Sequence, residues 1–186
     1  MAIRATTEAK LLDAADELFF SRGIAATPVD AVLERAGVSA ATLYRGYASK
    51  EALLAAVLDR RHREWLDTWD AAVAAQRTDE GRLLAVFDAL DAFRSRPLGS
   101  RWCAFLGSAA EYADPPAEVE QAIRTDTETM RARLAELAAV VAPGRGDELA
   151  DELLLVVSGY LAMRLRAPAE TTRTARRVAG ALVAAR

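Results

Sequence analysis

Few side chains in this chain are of a type that does chemistry, and their spacing narrows what that chemistry is. The sole cysteine, Cys103, follows Trp102, and Arg101 is the one nearby cation in sequence. That is a weak setting for a reactive thiolate, so a helical, inert thiol is expected. The sole histidine, His62, has no second ligand at a metal spacing and reads as an exposed helical residue. No glycine-rich phosphate loop, metal cluster or nucleophile–base pair stands out, so no catalytic residue, metal or cofactor is assigned. What remains is a run of hydroxyls and cations within 24 residues of chain: Thr27, Ser39, Thr42, Tyr44, Arg45 and Lys50. Such groups can hold phosphate oxygens and read base edges.

These side chains need a scaffold, and the stretch TPVDAVLERAGVSAATLYRGYASK, from Thr27 to Lys50, carries its signals. Thr27 has the type of an N-cap, and Pro28 sits where a first helical position tolerates proline. Val29, Val32, Leu33 and Ala36 recur at helical spacing, and Gly37 falls where a helix ends in a left-handed residue. Ser39 caps a second, very short helix reaching about Tyr44, with Val38 and Leu43 pinning the two helices together. Ser49 caps a third. The pattern is a helix-turn-helix, in which the second helix enters the major groove of DNA.

The order Leu12-Asp13-Ala14-Ala15, Leu18-Phe19, Gly23, Thr27, Val29, Ala36-Gly37-Val38-Ser39, Thr42-Leu43-Tyr44, Ser49-Lys50-Glu51-Ala52-Leu53 resembles the DNA-binding domain of the tetracycline-repressor (TetR) family. The resemblance covers the first third of the chain. It implies base-facing roles for Ala40, Ala41 and Thr42, with Arg45 one turn on, and phosphate-facing roles for Thr27, Tyr44 and Lys50, near Pro28 and Ser39. Ala40 and Ala41 offer apolar contact only, so base readout is expected to lean on Arg45 and a guanine opposite it. Gly46 stands where the family often has a histidine, and Leu33 where a small residue is usual.

The rest of the chain must carry these elements. Of its residues 52% are hydrophobic and 27% charged, a globular balance with no 20-residue apolar run for a bilayer. A net charge of −3 does not single out nucleic acid, so affinity must come from a few placed cations. The polar start, Met1–Thr6, and the lone cysteine fit a cytoplasmic protein. Helical periodicity predicts an all-α fold of nine helices. A helix from Thr6 or Thr7 to Ser21 or Arg22 covers the pair, and a long connector runs from Ser49 to about Ala75. A loop is expected at 76–81, followed by five further helices. The expected domains are 1–48, for DNA, and 49–186.

The resemblance also implies an effector site and a twofold dimer in the second domain. Trp65, Trp69, Phe87, Phe93, Trp102, Phe105, Tyr112, Met130, Leu134 and Tyr160 are the candidate walls, suited to an apolar or aromatic ligand, with Glu111 and Arg164 as candidate polar handles. Leu153, Val157, Leu161, Val178, Leu182 and Val183, on the last two helices, are the candidate dimer interface. The expected function is that of a homodimeric, ligand-responsive regulator, a repressor released from a palindromic operator. The alternatives are a ligand-binding co-regulator of the same fold without DNA binding, and a helical enzyme using the second-domain cavity.

Overall fold

The computed structural model describes residues 3–95 and 103–185, and among these every regular element is an α-helix. The helices are α1 (Ala5–Arg22), α2 (Val29–Ala36), α3 (Ala40–Gly46), α4 (Lys50–Ala74), α5 (Asp79–Arg94), α6 (Ala104–Glu111), α7 (Ala117–Val141), α8 (Gly146–Arg166) and α9 (Arg173–Ala184). The boundaries follow local chemistry. Gly37 closes α2 at φ 66°, a left-handed conformation that glycine adopts without steric cost. Ser39 Oγ accepts the Thr42 N–H at 3.3 Å and opens α3. Ser49 Oγ does the same for the Ala52 N–H, at 3.0 Å, at the start of α4.

Two boundaries differ from the sequence expectation. Thr27 is not the cap of α2; Pro28 holds that position, with no side-chain hydrogen bond. The stretch 79–81 is not loop, because Thr78 Oγ1 accepts the Gly81 N–H at 3.0 Å and turns Asp79 and Glu80 into the first turn of α5. Acidic side chains there face the positive end of the helix. The break expected at Pro97–Ser100 lies outside the described residues.

By packing, the chain divides into two compact units, and the division is not linear. The first comprises residues 1–61 and 104–124; the second comprises 62–103 and 125–186. The first therefore contains α1–α3, the start of α4, all of α6 and the start of α7, beyond the segment 1–48 expected from sequence. Its core gathers Leu11, Phe19, Ile24, Leu43, Leu54 and Leu58, each essentially excluded from solvent. Inside it Arg61 Nη1 donates to both carboxylate oxygens of Asp16, at 2.7 and 2.9 Å, and the guanidinium lies 5.2 Å from the Phe20 ring centre. The second unit is built on a core of Trp65, Trp69, Phe87, Leu134, Leu149 and Leu153. His62 belongs to that unit and is not exposed: its Nδ1 meets Asp126 Oδ1 at 2.9 Å, and both side chains are mostly buried.

Candidate nucleic-acid interface

Helix α3 presents a polar, open face. Ala40, Ala41, Tyr44 and Arg45 are exposed, while Leu43, on the opposite side, is fully buried and fastens the helix to the core. Tyr44 is 55% exposed, a large fraction for an aromatic residue. Among the described residues Arg45 makes no hydrogen bond or ion pair, so its guanidinium is available to a partner. Thr42 is half-buried, and its hydroxyl lies 3.0 Å from Ser39 Oγ.

Two expected phosphate ligands are tied into the protein. Thr27 is completely buried, and its hydroxyl donates to the carbonyls of Leu18, at 3.2 Å, and Gly23, at 2.7 Å. It closes the α1–α2 turn and is not presented to DNA. The Lys50 ammonium donates to the Ile24 carbonyl at 2.5 Å and sits 5.8 Å from the centre of the Phe19 ring. With three N–H donors, the ammonium has two left for a phosphate while it keeps that carbonyl. Pro28 is exposed at the head of α2, where the first backbone N–H groups have no intrahelical acceptor. A Cβ at Gly46 would meet the tip of the Ile3 side chain, which a rotation of that side chain would relieve.

This geometry, one helix fixed by a buried leucine with an open arginine and tyrosine on its outer side, is that of a groove-reading pair. Residues 11–57 match the family model described as bacterial regulatory proteins, tetR family. Over its whole length the chain is also similar to SCO4454, a TetR-family transcriptional regulator of Streptomyces coelicolor, at 29% identity and a TM-score of 0.87, covering 98% of this chain and 96% of that one. Residues 11–57 are thus a TetR-family DNA-binding domain, on a chain whose whole length takes the fold of a TetR-family regulator.

A putative TetR regulator of Streptomyces avermitilis is 26% identical over 85% of each chain, with a TM-score of 0.72. The reduced form of Escherichia coli NemR, at 19% identity, shares the fold, with a TM-score of 0.80 over 93% of this chain and 94% of that one. No curated protein matches. The matched segment and the two Streptomyces relatives support a helix-turn-helix, DNA-binding transcriptional regulator. Among the described residues no helix is long and apolar enough to cross a membrane, and no group of His, Cys, Asp and Glu side chains is arranged to hold a metal.

The candidate effector residues of this TetR-family regulator do not share one unit. Trp65, Trp69, Phe87, Phe93, Met130, Leu134 and Tyr160 lie in or against the core of the second unit. Phe105 and Tyr112 belong to the first unit, and Trp102 lies outside the described residues. Trp65 stacks at a tilt on Trp69, with ring centres 5.5 Å apart, and meets Phe93 edge-on at 5.8 Å. The indole N–H groups of Trp65 and Trp69 are buried without a hydrogen-bond acceptor. The Tyr160 hydroxyl is buried too and makes no hydrogen bond of good geometry; burial pushes its pKa up, against the pull of the neighbouring Arg164 guanidinium. Sequence order gave no hint that these donors would lack partners.

Glu111 is no effector handle. Its carboxylate accepts the main-chain N–H groups of Ile24 and Ala25 within the first unit. Arg164 is buried and not a surface charge. Of the candidate dimer residues, Leu153 and Val157 are wholly buried inside the second unit of a single chain, so they are core and unavailable to a partner. Leu161, Leu182 and Val183 are half-buried, and Val178 is exposed. The outward apolar side chains of α8 are Leu155, Met163 and Leu165.

Proposed function

We propose that this regulator is a homodimeric repressor that leaves a palindromic operator when a small apolar or aromatic effector enters the second unit. The observation that carries the DNA side is the open Arg45 and Tyr44 on a helix otherwise anchored by Leu43. The effector side is supported by the orphaned indole donors of Trp65 and Trp69 inside an apolar core. A buried donor without an acceptor costs about 1–3 kcal/mol, which a ligand carrying a carbonyl or similar acceptor would recover. The dimer is supported by Leu155, Met163 and Val178, exposed apolar side chains on α8 and α9. At Gly159 and Gly180 an added Cβ would meet only open space, which leaves room for a close helix. Two recognition helices held about 34–36 Å apart would reach successive major grooves of a palindrome. Helix α4 runs from the first unit into the second, and ligand binding that biases its position would change that spacing.

Selection of bound duplexes from a random pool, at two salt concentrations, tests the reading. Enrichment of a palindrome whose affinity falls steeply with salt is expected. No enrichment and no salt dependence would leave the same fold as a ligand-binding co-regulator.

A further inference from the structure

We propose that Glu111, at the end of α6, is a positioning residue for DNA binding: its carboxylate holds the α1–α2 turn from which the helix-turn-helix pair is hung. The two hydrogen bonds are 3.1 Å from the Ile24 N–H and 2.9 Å from the Ala25 N–H, and they span 87 and 86 residues of sequence. Among the described residues, every other hydrogen bond on this turn comes from residues 18–50. The Ile24 carbonyl accepts both the Lys50 ammonium and the Thr27 N–H, and the Thr27 hydroxyl returns to Leu18 and Gly23. Among those residues Glu111 is the hydrogen-bond partner that reaches the turn from outside the helix-turn-helix segment, yet it belongs to the same compact unit.

What hangs on the turn is the start of α2. Pro28 caps that helix with no side-chain bond, and at the cap its carbonyl accepts the Ala31 N–H at 3.2 Å. The free amides of the helix's first turn can hold a phosphate only if they arrive in place, and α3 follows α2 after just Gly37, Val38 and Ser39. The hold is made at the edge of the core: Glu111 and Ala25 are exposed, so the Ala25 amide can turn to water if the carboxylate is lost, while the Ile24 side chain stays buried. Removing Glu111 therefore frees the turn without opening a core.

The inference rests on DNA binding by the α2–α3 pair and not on any effector. Its test uses the full chain and an operator duplex from the selection above. Glu111→Gln keeps the size, but it turns an NH2 group toward one of the two amides. We expect its affinity for the operator to fall roughly tenfold, with amide hydrogen exchange at Ile24 and Ala25 accelerated and the slope of affinity against salt unchanged. Glu111→Asp, too short to span both amides, should show the same pattern. The sign is diagnostic. Removing a negative charge from a DNA-binding protein strengthens binding by simple electrostatics, so a variant that binds as well as the parent, or better, overturns the proposal. Weakened binding with unchanged exchange at both amides also overturns it. A failure of the underlying DNA-binding reading would appear in the parent protein, before any variant is made.

Discussion

At the scale of single residues, side chains of one type serve opposite ends. Arg61 is spent on Asp16 inside the first unit, while Arg45 has no partner among the described residues and faces outward. If Arg45 reads a guanine, Arg45→Ala costs about 1–3 kcal/mol on the operator and much less on random duplex. Equal losses on both in a binding titration would make it a phosphate contact. Tyr47 supplies a pH effect. Burial, and then its hydrogen bond to Glu8 at 2.9 Å, push its pKa from 10.0 up to about 12. Below the lower value both states hold the proton; between the two, only the folded chain keeps it. Stability should thus be intact up to about pH 10 and fall as pH approaches 12, by less than the full shift implies because the ring is partly open to solvent. Tyr112 and Tyr160, also raised by burial, add to the fall. Denaturant midpoints measured across that range should flatten in part in Tyr47→Phe. None of these partners was legible in sequence. Asp16 sits in an amphipathic pattern where a charge reads as solvated, and its cation lies 45 residues away.

At the scale of elements the reading was better, because caps and helix stops are local. Gly37, Ser39 and Ser49 do what their types foretell. Thr78 was as plain a cap, but Asp79-Glu80-Gly81 resembled a turn. The hydroxyl that captures the Gly81 amide decides the matter for helix. Thr27 misled in the other direction, since a buried threonine can close a turn as readily as cap a helix. The capping bond of α3 matters more than most, because the helix has only seven residues and one buried side chain. Ser39→Ala should cost about 0.5–2 kcal/mol of stability in thermal unfolding, with exchange of the Thr42 amide accelerated first. A variant as stable as the parent would mean that Leu43 packing alone holds the element.

For the whole molecule, the faces of α8 and α9 were legible as apolar but not by direction. Leu153 and Val157 turn inward, and Leu155, 74% exposed, turns out. Leu155→Glu should therefore spare the fold and drive the chain to monomer in sedimentation, with operator affinity falling in step. A dimer that survives would move the interface elsewhere. The division into two units falls inside α4, between Arg61, bonded to Asp16 of the first unit, and His62, bonded to Asp126 of the second. Successive residues of a helix leave it about 100° apart, so these two neighbours point in different directions, and each is held by a carboxylate of its own unit.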